Sequence, residues 1–255
     1  MDPEQLFFYI FCGLLGLLLG SFFNVVIYRY QAGVSIIRPR SYCPHCKHTL
    51  QALDLVPVFS YLVLRGRCRY CRAAIPFRYA AVELLSAFLL LGTFHHFGCT
   101  VELLKYGPVL FVLLIVSFID LDIQKIPNLF VGMIFLWALL WQLLNPVLSW
   151  TEALLGFLAG GGVTLIIALV TRGGMGGGDI KLLAALGFLA GWFQLILIFF
   201  IAVFLGAIVG LIVIAVQRKG GKTPIPFGPF IAAGYAIVLF WGDQIWAFYL
   251  NTFIK

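Results

Sequence analysis

Long apolar runs constrain this chain more than any other feature. They fall near residues 6–28, 79–97, 102–121, 127–144, 151–171, 180–191, 192–216 and 227–250. A membrane-crossing helix needs about 20 mostly apolar residues. The runs therefore predict an all-α polytopic membrane protein with about eight transmembrane helices. The 180–191 run is short for a span unless it tilts or continues past Gly191. Composition agrees: 62% of the residues are hydrophobic and 11% charged, against roughly 45–50% and about 25% in soluble domains. A soluble globular domain, a disordered chain and a disulfide-stapled miniprotein are excluded. The first run follows the acids Asp2 and Glu4, precedes Arg29 and is longer than a signal-peptide core, so no cleavable signal peptide is expected.

The few charges are unevenly placed. Nine of the 17 Lys and Arg lie between Arg29 and Arg78, where the one acid is Asp54. A basic run can bind nucleic acid, but one flanked by apolar spans reads as a cytoplasmic loop, and no nucleic-acid partner is expected. With that loop inside, sides alternate along the chain. Fifteen basic residues then fall inside, among them Lys125, Arg172, Lys181, Arg218, Lys219 and Lys222, while Lys105 and Lys255 fall outside. An even number of spans with both termini outside satisfies the count. His95 and His96 are placed near the outer interface.

Within the loop, Cys43-Pro44-His45-Cys46 and Cys68-Arg69-Tyr70-Cys71 form two C-x-x-C pairs with 21 residues between them. Four thiolates so spaced suit a closed tetrahedral zinc site with no position left for substrate, and a cytoplasmic loop is too reducing for disulfides. The site is predicted to be structural, stabilising a loop domain with little core of its own. Unligated thiols or a redox dithiol are the alternatives; His45 and His48 are possible substitute ligands but fit solvated loop positions better.

Two aspartates stand out against the apolar background. Asp120 ends one run in Ile119-Asp120-Leu121-Asp122, before Ile126-Pro127; Asp179 opens another in Gly176-Gly177-Gly178-Asp179. An ionisable group at membrane depth is costly and marks a functional site by default. The alternation of sides puts both near the inner face, where a close pair would share a proton and serve as general acid and base. The glycines would let a substrate backbone approach. Cation or proton transport is the alternative from another class, although both acids sit at one face rather than at mid-membrane. A structural role, as caps or as ion pairs with Lys125 or Lys181, is the third. Asp122 points elsewhere on a helix and is the weaker candidate. Pro224-Ile225-Pro226-Phe227-Gly228-Pro229 reads either as a rigid lead-in to the last span or as an unpaired backbone edge onto which a peptide could add as a strand. Glu83 is expected to pair with an arginine of the basic loop, such as Arg78.

Taken together, these residues resemble the bacterial type IV prepilin peptidases (leader peptidase and N-methyltransferase), of the GxGD group of intramembrane aspartic proteases. The resemblance rests on the stretch from Gly20-Ser21-Phe22-Phe23-Asn24 to Arg29, both cysteine pairs, Arg65-Gly66-Arg67-Cys68, Arg78-Tyr79 with Val82-Glu83-Leu84, the two aspartate motifs and Pro226-Phe227-Gly228-Pro229. It covers roughly residues 10 to 230. Asn128 departs from it, since many members carry Asp after the proline.

The resemblance implies that Asp120 and Asp179 are catalytic and cut a short basic leader from prepilins or pseudopilins, for pilus assembly or type II secretion. It implies substrate contacts at Gly176, Gly177, Gly178, Pro226, Phe227, Gly228 and Pro229, and structural zinc on Cys43, Cys46, Cys68 and Cys71. It further implies methylation of the new N-terminus by S-adenosylmethionine, whose site the sequence does not disclose: no glycine-rich fingerprint of a soluble nucleotide fold is present. The domains expected are a first transmembrane helix (1–28), a cytoplasmic zinc-binding loop domain associated with methyl transfer (29–78) and a transmembrane aspartic peptidase domain (79–255), in the lipid bilayer of a bacterial inner membrane.

Overall fold

The computed structural model describes residues 2–38, 40–217 and 225–253. Pro224, Arg218, Lys219, Lys222 and Lys255, which entered the reading above, lie outside the described residues. The chain is all-helical, with 76% helix and no strand among the described residues. It divides into two compact units, Met1–Ile115 and Val116–Lys255.

The first unit holds α1 (Pro3–Ala32), a short α2 (Phe59–Val63), α3 (Arg78–Phe97) and the first part of α4 (Val101–Ile123). α1 and α3 pack through small residues. A Cβ added to Gly16 would lie 2.5 Å from the Ala87 Cα, and one on Gly20 would lie 2.6 Å from the Glu83 Cα. Close approach of this kind is how apolar helices associate without a hydrophobic drive between them, and here it sets Glu83 against α1 at Gly20. Further along, Cys12, Leu90 and Phe94 form a core with Tyr9, Leu15, Leu91, Leu103 and Phe111 around it. His95 Nδ1 lies 2.8 Å from the Tyr9 hydroxyl.

The second unit holds the end of α4, then α5 (Asn128–Leu144), α6 (Trp150–Leu158), a π-helical turn (Ala159–Val163), α7 (Thr164–Val170), α8 (Gly177–Gln217) and α9 (Gly228–Phe253). Ser149 caps α6, accepting the Glu152 N–H while Glu152 accepts the Ser149 N–H. Gly156 and Gly187 bring α6 and α8 into backbone contact. α8 covers what the apolar pattern gives as two runs. The chain turns inside it at Gly191 (φ 79°, ψ 163°), a conformation closed to residues with a Cβ.

Among the described residues, six helical stretches are long and apolar enough to cross a membrane: Pro3–Ala32, Arg78–Phe97, Val101–Ile123, Trp150–Val170, Gly177–Val216 and Gly228–Thr252. Asn128–Leu144 is apolar but shorter. Their outward faces are apolar, with Leu14, Leu18, Phe200, Phe204 and Leu211 all exposed. That composition suits lipid.

Candidate functional site

The two singled-out carboxylates meet in the second unit. Asp120 lies three residues before the end of α4, 5% exposed. Its Oδ2 accepts the Gly228 N–H at 2.9 Å, a donor left over from the first turn of α9. Asp179 lies in the first turn of α8, where its carboxylate accepts the Gly176 N–H. This is the reach of an N3 acid back to its N-cap residue. Its Oδ1 is buried without a hydrogen-bond partner. The two carboxyl groups are close enough to interact electrostatically.

The glycines are spacers for these acids. A Cβ on Gly228 would stand 2.9 Å from Asp120 Oδ2, and one on Gly176 would stand 2.8 Å from Asp179 Oδ2. Ile126 fills the space between the motifs: a Cβ on Gly178 would lie 2.8 Å from the Ile126 Cβ, and one on Gly228 would lie 3.3 Å from the Ile126 Cδ1. Gly177 faces open space, with nothing within 4 Å of its Cβ position.

Two expectations change here. The backbone at 227–228 is not an unpaired edge: the Gly228 N–H goes to Asp120, and the Phe227 carbonyl accepts the N–H groups of Phe230 and Ile231 at 3.0 and 3.1 Å. The turn is used to start α9 and to hold Asp120. Lys181 does not pair with Asp179 but donates to Asn128 Oδ1 at 3.0 Å. The departure at Asn128 thus has a partner, one the sequence alone does not reveal. Asp122 is exposed, as its helical offset from Asp120 predicts.

In the first unit, the four loop cysteines converge. Their Sγ atoms all lie within 4.8 Å of one another, Cys43 and Cys68 buried, Cys46 and Cys71 exposed; no histidine joins the group among the described residues. Each C-x-x-C folds the same way. The Lys47 and Arg72 N–H groups donate to the Cys43 and Cys68 carbonyls at 2.9 and 3.0 Å. Both of these residues take left-handed φ, 60° and 61°. Single bridges Tyr42–Thr49 and Arg67–Ala74 close the turns. Zinc–sulfur bonds of about 2.3 Å set tetrahedral sulfurs about 3.8 Å apart, and Cys43 and Cys71 Sγ stand at 3.9 Å. The donor set fits zinc. Burial pushes the Cys43 thiol up, yet the N–H groups of Cys46 and His45, together with the neighbouring Cys68 and Cys46 thiols, outweigh it and bring it down to about 7. A thiolate is the form a metal takes. His48 stacks on Tyr70, ring centroids 3.7 Å apart, instead of approaching the sulfurs.

Two acids in this unit have roles the sequence did not show. Asp54 accepts Arg69 Nε at 2.6 Å, the Tyr70 hydroxyl at 3.0 Å and the Gln51 N–H at 3.1 Å. It clamps the two residues between Cys68 and Cys71. Its standing as the one acid in the basic loop was the available signal. Although burial raises it, these donors hold its carboxyl below the usual range. Glu83 pairs with no arginine among the described residues: its Oε2 accepts the Val58 N–H at 2.7 Å. Val58 sits at φ 59°, ψ −46°, the centre of a γ-turn closed by Phe59 N–H to the Pro57 carbonyl. That shape is rare and strained, and it aims the N–H at Glu83.

Comparison with known proteins accounts for both units. Residues 14–97 match the bacterial peptidase A24 N-terminal domain, and residues 109–211 match the type IV leader peptidase family. A protein of Bacillus subtilis (strain 168) named prepilin leader peptidase/N-methyltransferase is 38% identical over 236 residues, covering 92% of this chain and 95% of its own. Proteins of the same name from Stutzerimonas stutzeri and Pseudomonas aeruginosa are each 37% identical, covering 95% and 93% of this chain and 94% and 92% of their own. No solved structure matches. The matched families are peptidases, which decides against the transport alternative: the chain is an enzyme, a peptidase, and it belongs to the type IV leader peptidase family.

Proposed function

We propose that this chain is a membrane aspartic endopeptidase. It removes the leader peptide of type IV prepilins or pseudopilins at the cytoplasmic face of a bacterial inner membrane, then methylates the new N-terminus from S-adenosylmethionine. The observation that carries the reading is the pairing of Asp120 and Asp179, one held by the Gly228 N–H and the other keeping a buried, unpartnered Oδ1. Two interacting carboxyl groups share one proton. One takes a proton from the attacking water while the other gives one to the scissile carbonyl, and the roles reverse as the amine leaves. Substrate contacts fall to residues 176–178 and 226–229, with the open side of Gly177 giving the peptide backbone room to approach.

Zinc held by Cys43, Cys46, Cys68 and Cys71 supplies structure, tying the two turns into one loop domain. The positive-inside distribution supports a cytoplasmic orientation. Eight spans follow when α5 and the two limbs of α8 about Gly191 are counted separately. The names of the relatives support the substrate and the methyl transfer. The domain division is then a first span (1–28), the zinc loop domain (29–78) and the peptidase domain (79–255).

The test is leader removal from a purified prepilin by the purified chain in lipid, read by mass spectrometry. Asp120→Asn and Asp179→Asn should each lower the rate by about 10²–10⁴, the range for a lost general acid or base. Wild-type cleavage by either variant refutes the pair.

A further inference from the structure

Glu83 is 8% exposed. Its hydrogen-bond donors are the Val58 N–H and Ser21, and no cation pairs with it among the described residues. A buried carboxylate left in that state is costly. Glu83 lies in the wall of a cavity of about 330 Å³ within the first unit, bounded by α1, α3 and the cysteine turns. The volume matches the lower range of small-molecule sites, about 300–1,000 Å³. Tyr28, Tyr61 and Tyr79 line it, as do Asn24 and the buried Arg29. Cys43 and Cys68, the two buried cysteines of the metal group, contribute another part of its wall. An unpaired buried anion beside tyrosine rings selects a cation with apolar or aromatic surface.

Resting on the methyltransferase reading above, we infer that this cavity binds the methyl donor, an adenosyl sulfonium, with Glu83 facing its positive sulfur. The rings of Tyr28, Tyr61 and Tyr79 offer stacking surface for the adenine, and Arg29, held in place by its Nη1 donating to the Ser35 and Ile36 carbonyls, sets a positive charge in the wall for the amino-acid carboxylate. In the transfer, the acceptor amine's lone pair forms the N–C bond, the sulfur keeps the electrons of the broken S–C bond and leaves as a neutral thioether, and the ammonium proton passes to water. A second cavity of about 790 Å³ adjoins the first, sharing Val25, Arg29, Ser41, Leu50 and Leu55. It gives the acceptor chain a way in. The zinc loop thereby acquires a use beyond its own folding, since its buried cysteines help wall the donor site.

The test is isothermal titration of the purified full chain with three ligands. These are S-adenosylmethionine, its neutral product S-adenosylhomocysteine, and sinefungin, which carries an ammonium in place of the sulfonium methyl. The charged pair should bind at least about tenfold more tightly than the neutral thioether. Glu83→Gln, which keeps an acceptor for the Val58 N–H, should erase that preference while leaving thioether affinity within about twofold. Equal binding of all three by the wild type, or an undiminished preference in Glu83→Gln, overturns the assignment. Ser60→Phe fills the cavity from its loop side and should abolish binding of all three. Wild-type affinities in Ser60→Phe overturn the assignment even where the Glu83 variant does not fold. A Glu83→Gln chain that loses affinity for a mature pilin's N-terminal ammonium but not for the donor gives the carboxylate to the acceptor and likewise overturns it. A wild type that neither binds the donor nor labels a mature pilin sinks the methyltransferase reading itself. One that labels the pilin while both variants bind normally sinks the cavity assignment alone.

Discussion

Gly228→Ala tests whether the turn before α9 positions a carboxylate for chemistry. The added Cβ would stand 2.9 Å from Asp120 Oδ2 and 3.3 Å from both its Cγ and the Ile126 Cδ1. Ordinary contact begins near 3.4 Å, so the carboxylate oxygen is about 0.5 Å too close. Backing off by rotation weakens the 2.9 Å bond from the Gly228 N–H. A hydrogen bond to a charged group contributes about 1.5–3 kcal/mol, and a factor of ten in rate is about 1.4 kcal/mol. One to two decades in kcat are therefore at stake, comparable to the roughly 10²-fold cost of a small misplacement at a reacting centre. The overlap should also lower stability by about 1–3 kcal/mol, as overpacking does. Gly132→Ala is the matched control: it makes the same chemical change in the interior of α5, with nothing within 4 Å of the new atom. It should leave kcat unchanged and raise stability by up to about 1 kcal/mol through helix propensity. Both variants are assayed for initial rates of leader cleavage and for melting. Wild-type kcat in a folded Gly228→Ala enzyme would falsify the claim that this turn holds Asp120 for the reaction.

The loop domain offers two further tests. Metal analysis of the purified chain should give about one zinc per chain, held by the four cysteines together; Cys43→Ser should lower the content and open residues 41–75 to proteolysis, and full zinc in that variant would remove Cys43 from the ligand set. Asp54 tests the clamp by pH. Its folded pKa lies below its unfolded value, so its stabilisation is complete above the unfolded pKa of about 3.9 and is lost as pH falls through the lower folded value. Hydrogen exchange at Arg69 and Tyr70 should accelerate over that acid window in the wild type and show no such step in Asp54→Asn, which is already loosened at neutral pH. An identical acid profile in both would show that another group carries the effect.

What the sequence made legible follows the physics of each signal. Hydropathy sums side chains over a window, so the apolar runs foretold helices at the right places. The same reading gave 180–191 and 192–216 as two runs, and their boundary is where Gly191's dihedrals turn the chain inside α8; what hydropathy could not supply is that the two limbs run on as one kinked element. Cysteine spacing is chemistry written in one dimension, and the four sulfurs converge accordingly. Asp120 and Asp179 were visible because acids are rare in apolar surroundings. Their supports were not. Gly228 N–H to Asp120 and Val58 N–H to Glu83 are bonds from backbone donors that nearly every residue carries, and what aims them is a helix start in one case and a γ-turn in the other. A pattern of side-chain types holds no record of that aim, so Glu83 was expected to find an arginine, and the turn at 226–229 could be read equally as a rigid lead-in to the last span or as an unpaired edge.

The two proposed activities must run in one order, and bond chemistry rather than architecture imposes it. Before cleavage, the nitrogen to be methylated is a peptide nitrogen whose lone pair is delocalised into the carbonyl; it cannot displace a sulfonium. Cleavage by the Asp120–Asp179 pair turns it into an amine with a free lone pair. An Asp179→Asn chain given intact prepilin and labelled S-adenosylmethionine should therefore fix no label. The same chain given a pilin already cut by wild-type enzyme should fix it at close to the wild-type rate, because the donor cavity, Glu83 included, lies wholly in the first unit. Label on intact prepilin would refute the imposed order. Failure to label the pre-cut pilin, in a chain that still binds the donor, would refute the separation of the two sites and give Asp179 a part in the methyl transfer as well.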